Sequence, residues 1–210
     1  RIKSGFGSSA TATVSIIASV LNLHGINIQS KKGRQLINRL ARQSHFHVQG
    51  KIGSGFDISA ACIGSQIFSK APKKTGWPSS WRSVLAFTGK SASTTALVKK
   101  VKAFKEEDKK EYNKIMKSYN KTNAKLTKVY NSYLEGSADE SELVELIEES
   151  QKHRKLLGIS SGADIETDEH TQLLQELKDK GALFAVLPGA GGGDSVLAVC
   201  KSEKTRKKLN

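Results

Sequence analysis

Two cysteines, three prolines and 6% aromatic residues in a chain of 210 leave several protein classes without their raw material. Cys62 and Cys200 provide no CxxC pair and no disulfide framework, so the expected compartment is reducing and intracellular: the cytoplasm, with peroxisome or glycosome as variants. Long apolar runs are missing too. The best stretch, Ala10 to Leu23, is broken by Thr11, Thr13, Ser15, Ser19 and Asn22, which is too short and too polar to span a bilayer. With aromatics sparse and no RRM, KH or zinc signature, a nucleic-acid reader is the weaker use for the basic charge. An initiating Met is also absent. The chain opens at Arg1, almost directly on a glycine cluster and without a signal or transit peptide, so we expect it to lack its true beginning.

What is present reads as globular: 37% hydrophobic and 26% charged residues. The net charge of +14 calls for an anionic partner, and its distribution narrows the choice. Asp57 is the only acid between Arg1 and Phe104, whereas Glu106 to Asp179 mixes both signs. The first part is therefore expected to meet negative charge carried by a ligand.

Helical spacing places one helix over 10–23, stopped at His24-Gly25, and a second from Gly33 to about Ser44 with Arg34, Arg39 and Arg42 outward. A third is predicted from Ile58 to Gly64, and a short strand over Gln66 to Ser69. A linker over Pro72 to Pro78 puts the domain boundary between 1–77 and 78–210. Beyond it we expect a strand over Ser83 to Phe87, a basic helix from near Thr95, and one or two long helices to about Tyr133. A helix capped by a Ser137/Glu140 box and ended at Gly158 should follow, then another over Thr167 to Lys180. Strands over Ala182 to Leu187 and Ser195 to Cys200 close the pattern, before a loose basic tail.

Three segments carry chemistry. Lys3-Ser4-Gly5-Phe6-Gly7-Ser8-Ser9-Ala10 runs into a helix: glycines admit a ligand to the backbone, the helix start offers free N–H groups, and Ser8 and Ser9 add hydroxyls. A dinucleotide fingerprint would need an acid about 20 positions later, and none occurs before Asp57. A tight turn before a core helix is the plain structural alternative. In Gly50-Lys51-Ile52-Gly53-Ser54-Gly55-Phe56-Asp57, the isolated carboxylate could orient a nucleophile, hold a metal or accept a proton; it could equally cap a helix starting at Ile58. Pro188-Gly189-Ala190-Gly191-Gly192-Gly193-Asp194 has more glycine than a hairpin needs and favours ligand contact. Gly89-Lys90-Ser91 fails as a Walker A loop because position 84 is Val84. His45 and His47 lack companions at ligand spacing and read as structural.

In this order, the three loops resemble the GHMP small-molecule kinases. KSGFGSSATA is similar to the family's phosphate loop and GAGGGD to its C-terminal glycine motif. GKIGSGFDISAACIGS and TGKSASTTALVKKV resemble the branch that acts on phosphomevalonate. The likeness is thin between Lys105 and Glu166, and the family's early PGK motif has no counterpart here. The resemblance implies an α+β GHMP kinase fold: a remnant of the ribosomal-S5-domain-2-like N-terminal domain, followed by a ferredoxin-like α/β sandwich.

It further implies a soluble monomer or dimer that uses ATP and Mg²⁺ to phosphorylate 5-phosphomevalonate to 5-diphosphomevalonate, with no nucleic acid or membrane partner. By the same resemblance Lys3 and Asp57 are catalytic, Gly5, Gly7, Ser8 and Ser9 hold ATP phosphates, and Ser8 also takes Mg²⁺. Ser54, Gly55, Ser91, Ser93, Thr94, Gly191, Gly192 and Gly193 bind substrate. Alternatives are a family member acting on an alcohol such as mevalonate and, outside the class, a basic nucleic-acid-binding protein. Alone, the 210-residue piece is expected to be poorly stable and inactive.

Overall fold

Ser8–Leu23 forms helix α1, close to its predicted span, in a computed structural model that describes residues 7–48, 54–69, 71–89, 93–193 and 195–209. These fall into two compact units, within Phe6–Gly76 and Trp77–Asn210.

In the first unit, α1 packs with α2 (Lys31–Val48) and α3 (Phe56–Ile63). Ala10, Ala41 and Ile58 are buried where the three meet, with Val14, Ile17 and Cys62 around them. Two alanines at the centre let the helix backbones approach closely. Helix α2 begins earlier and ends later than its apolar stripe predicts, and α3 starts at Phe56 rather than Ile58. Part of the predicted linker forms structure: β1 (Gln66–Ile67) pairs antiparallel with β2 (Lys73–Lys74).

The second unit is built on a three-stranded antiparallel sheet, β3 (Arg82–Phe87), β5 (Ser195–Cys200) and β4 (Phe184–Val186), in the order β3-β5-β4. Its helices are α4 (Thr94–Glu107), α5 (Lys109–Leu134), α6 (Glu140–Ser161), α7 (Asp168–Asp179) and α8 (Glu203–Leu209). Successive strand residues point to opposite faces. Val196, Ala198 and Cys200 therefore pack with Leu174, Leu177 and Leu209 on one side, while Val199 and Phe184 pack with Trp81, Val129, Leu143 and Leu146 on the other. A sheet covered on both faces explains why β5 reads as an unbroken apolar run. A third cluster joins Leu97, Phe104, Ile115, Leu157, Ala163 and Ile165.

Three local expectations are corrected. Helix α6 has Asp139, not Ser137, at its N-cap. Glu140 instead accepts hydrogen bonds from Trp81 Nε1 (3.2 Å), Tyr133 Oη (2.6 Å) and Lys201 Nζ (2.8 Å), so the carboxylate ties the helix start to the sheet rather than closing a capping box. Gly158 does not end α6, which runs on to Ser161 with Gly162 as its left-handed cap. Gly158 is a packing glycine: a Cβ there would lie 2.9 Å from the Ala163 carbonyl oxygen. The tail is not loose, because α8 buries Leu209 against the sheet. Among the described residues, no helix is long and apolar enough to cross a membrane.

Candidate phosphate-binding site

Helices α1 and α3 both start on a left-handed glycine, Gly7 (φ 71°) and Gly55 (φ 73°), and neither has a side-chain cap. The contrast with other helix starts is informative. Ser93 Oγ caps α4, Asp108 caps α5, and Thr167 with His170 forms a reciprocal box on α7; the start of α6 also lacks a side-chain cap, but its first turn carries Glu140 and Glu142. A helix start leaves its first amides without intrahelical partners and carries the positive end of the dipole. Glycine at the cap leaves the first amides of α1 open to an anion, while on α3 the Ile58 amide is already met by Asp57 Oδ1.

The two starts are neighbours. A Cβ built on Gly7 would lie 4.0 Å from Asp57 Cβ, so the lone acid of this unit stands beside the serine-bearing first turn of α1. Asp57 is not the N-cap of α3; it sits in the first turn and its Oδ1 accepts from the Ile58 amide at 2.9 Å. Ser8 and Ser9 are exposed, with their hydroxyls at the head of α1.

Arg42, exposed as expected, also lies against this loop. Its guanidinium donates to the Ser54 carbonyl at 3.2 Å, and a Cβ on Gly55 would come within 3.0 Å of its Nε. Its spacing on α2 carried no signal for that, because the partner is a backbone carbonyl twelve residues on. Mg²⁺ usually keeps waters and takes one or two carboxylates together with substrate phosphates. Asp57 with the nearby Ser8 hydroxyl is a donor set of that kind, and among the described residues no three His, Cys, Asp or Glu gather to grip a metal alone. His45 is buried and His47 lies on the same helix.

In the second unit, Phe87 of β3 pairs with Ser195 of β5, so the segment after β3 and the glycine loop before β5 leave the sheet at the same end. Leu97 in the first turn of α4 and Ile165 belong to one buried cluster, against which the partly buried Ala190 of the glycine loop packs. This brings the Ser93–Thr94 corner and the Gly189–Gly193 loop to one corner of the unit. The hydroxyl oxygen of Ser93 already accepts from Ala96 N at 3.3 Å, leaving its proton to donate.

Gly191, Gly192 and Gly193 all have positive φ. The amides of Gly191 and Gly192 are engaged by the carbonyls of Pro188 (3.3 Å) and Ile165 (2.9 Å), so these two glycines shape the loop more than they offer donors. Arg154, which the sequence did not single out, supports the loop from α6 through hydrogen bonds to the carbonyls of Leu187 and Gly189. Burial draws its guanidinium below the usual arginine range, while Tyr119 and Glu166 pull the other way. Lys3, Gly5, Ser91 and Asp194 lie outside the described residues.

Two models of one family match the chain: "GHMP kinases N terminal domain" over residues 1–65 and "GHMP kinases C terminal" over 134–209. The chain belongs to the GHMP kinase family.

Among curated relatives, a phosphomevalonate kinase of Saccharolobus solfataricus is 31% identical over 94% of this chain and 60% of its own length. A phosphomevalonate kinase of Gibberella zeae is 28% identical over 98% and 54%. The chain thus spans a little over half the length of these relatives. Among solved structures, a Lin0012 protein from Listeria innocua superposes with a TM-score of 0.83 at 26% identity, over 99% of this chain and 63% of that one. A Streptococcus pneumoniae phosphomevalonate kinase in complex with phosphomevalonate and AMPPNP gives 0.72 at 19% identity, over 99% and 65%, a likeness of fold.

Proposed function

We propose that the protein carrying this chain transfers the γ-phosphate of ATP to 5-phosphomevalonate, giving ADP and 5-diphosphomevalonate. The observation that carries the proposal is the closeness of Gly7 to Asp57, such that a Cβ built on Gly7 would lie 4.0 Å from Asp57 Cβ, at two neighbouring helix starts without a side-chain cap. A phosphoryl-transfer site needs open amides, positive potential and one orienting carboxylate, and all three are within the first unit.

The acceptor oxygen belongs to a phosphate. With a second pKa of about 6 it is largely ionised at neutral pH, so a strong base is not required. Catalysis then rests on bringing two polyanions together and neutralising the group in transit. Lys3 takes charge from the γ-phosphate; Gly5, Gly7, Ser8 and Ser9 hold the nucleotide phosphates; Asp57 orients the acceptor, with Ser54 and Gly55 shaping its seat. Ser91, Ser93 and Thr94 contact the acceptor's own phosphate, and Gly191, Gly192 and Gly193 close over the acceptor. The Ser8 hydroxyl would hold Mg²⁺ on the nucleotide, and the ion would supply charge neutralisation to the transferring group. The compartment that fits is the cytosol, although a relative in Arabidopsis thaliana is named as peroxisomal.

A second substrate has support in the relatives: a mevalonate kinase of Thermococcus gammatolerans is 28% identical over 97% of this chain and 58% of its own length. On an alcohol acceptor, Asp57 would have to act as a base. ADP release measured with 5-phosphomevalonate, mevalonate and galactose separates the readings. Turnover with phosphomevalonate at least a hundredfold above the alcohols is expected; a preference for mevalonate would transfer the site to the alcohol branch. Salt-sensitive RNA binding without any ATP turnover would end the kinase reading.

A further inference from the structure

The first unit has a second polar feature, away from the glycine loops. A cleft of about 510 Å³ lies among α2, the end of α3 and β2, lined by Gln29, Lys31, Arg34, Asn38, Ile63 and Lys74. At 1.5 Å rise per residue, Lys31 stands about 16 Å along α2 from Arg42, and Ile63 about 9 Å along α3 from Asp57. The cleft thus lies toward the start of α2 and the end of α3, whereas Asp57 stands at the start of α3.

Its wall is held in place. Asn27 Oδ1 accepts from the amides of Gln29 (3.0 Å) and Ser30 (3.2 Å), and Ser30 Oγ donates to the Asn27 carbonyl at 2.7 Å while accepting from the Gly33 amide at 3.0 Å. Gly33 is pressed so closely onto this loop that a Cβ would lie 2.1 Å from the Asn27 carbonyl oxygen. Arg34 donates to Gln29 Oε1 at 2.9 Å, which fixes its guanidinium at the cleft. A loop braced this way offers a preformed surface and avoids the ordering cost of assembling one around a ligand.

The electrostatics are one-sided. Three cations line the cleft with no carboxylate among them, and the single acid of this unit is Asp57. Asn38 Oδ1 is shut off from solvent and has no hydrogen-bond partner among the described residues. Protein laid over the cleft would bury three cations without counter-charge, an expensive arrangement. An anion relieves it. The guanidinium fork and two ammonium groups match phosphate oxygens, and the volume falls in the range of small-molecule sites, about 300 to 1,000 Å³. Among the described residues no aromatic side chain lines the cleft for a base to stack on, which disfavours single-stranded nucleic acid.

We propose that this cleft is a second anion site, separate from the glycine loops, for a small molecule bearing a phosphate or diphosphate. It does not depend on the kinase reading. The test is an amide NMR titration of the full protein carrying this chain with inorganic pyrophosphate. Shifts are expected at Gln29, Lys31, Asn38 and Lys74, with affinity falling at least tenfold in the double variant Lys31→Gln/Lys74→Gln and holding within twofold in Lys99→Gln. Shifts confined to residues 7–10 and 55–59 in the parent chain would overturn the proposal, whether or not the double variant folds. So would an equal loss in Lys99→Gln, which would reduce the effect to net charge, or tighter binding of an oligonucleotide than of pyrophosphate at these residues.

Discussion

The two units use charge in opposite ways. Within Trp77–Asn210, carboxylates and ammonium groups meet repeatedly: Lys100 with Asp164, Lys125 with Glu142, Lys155 with Glu166, Lys178 with Glu148 and Lys201 with Glu140. The first unit has one acid, and among the described residues its cations find backbone or amide oxygens rather than carboxylates, as Arg42 does at Ser54 and Arg34 at Gln29. Helix starts divide less cleanly: side chains cap α4, α5 and α7 but not α6 in the second unit, whereas in the first α1 and α3 are uncapped and Ser30 Oγ accepts from the Gly33 amide at the start of α2. Charge satisfied inside the fold supports stability; charge left unmet is available to a ligand. Polar substitutions should therefore impair activity in the first unit and stability in the second.

The strongest test of that division is at Asp57. Asp57→Ala in the active protein should lower kcat by a hundredfold or more, about 3 kcal/mol of barrier, with Tm lowered only slightly because the half-buried Asp57 accepts a single hydrogen bond, from the Ile58 amide. Lys3→Ala should match it in kcat. Near-parent turnover in both variants would remove these residues from the mechanism, and a large Tm loss at Asp57 would break the contrast between the units.

Next in size is Gly191→Ala. The added Cβ would lie 2.3 Å from the Ile165 carbonyl oxygen, at a residue whose φ is +77°. Strain and displacement together should remove about 3 kcal/mol of stability, read by urea unfolding. Gly189→Ala meets no atom within 4 Å and keeps only the penalty of its φ of +64°, so it should lose about 1 kcal/mol. Equal effects would show that the loop gives way at Ile165.

Glu140 is third. Burial pushes its carboxyl up, but hydrogen bonds from Lys201, Tyr133 and Trp81 outweigh that and hold it below the ordinary glutamate value. A carboxyl depressed in the folded state stabilises above its unfolded pKa, about 4.3, and loses that contribution as pH falls through the folded value. Glu140→Gln should thus be less stable than the parent at pH 7, with the gap closing below about pH 4. Glu140→Ala, which also strands the Trp81 and Tyr133 donors, should lose about 2 kcal/mol while activity per folded molecule is kept. A gap independent of pH would mean that the carboxylate's charge is not what holds α6 to the sheet.

How much of this was legible in the sequence follows the same line. Local signals located β5 at Ser195–Cys200 to the residue and α1 and α7 to within a residue or two, because apolar periodicity and caps act over neighbouring positions. The glycine loops were visible for a similar reason: few structural demands require that much glycine in so short a span. Partners distant in sequence were not visible. Glu140 has capping-box spacing, yet its oxygens bind Trp81 and Lys201, and Gly158 looks like a helix stop but is needed where the chain folds back at Ala163. Arg42 and Arg154 reach backbone carbonyls, which no side-chain pattern announces. The anion cleft needed α2, α3 and β2 assembled before its cations came together.

The smallest expected effect is the sharpest check on the first unit's apolar surface. Leu23 is 86% exposed at the end of α1, and Ile16 and Val20 are exposed to lesser degrees earlier in the helix. If these side chains are solvated in the isolated chain, Leu23→Ser removes apolar area that folding never buried, and unfolding free energy should move by less than about 0.5 kcal/mol. The same substitution should make the chain less prone to self-association, since exposed apolar surface is what drives it. Sedimentation of parent and variant, beside urea unfolding of each, reads both quantities. A loss above about 1 kcal/mol would mean that Leu23 is covered in solution, and the first unit would then be closer to the second in how completely it packs.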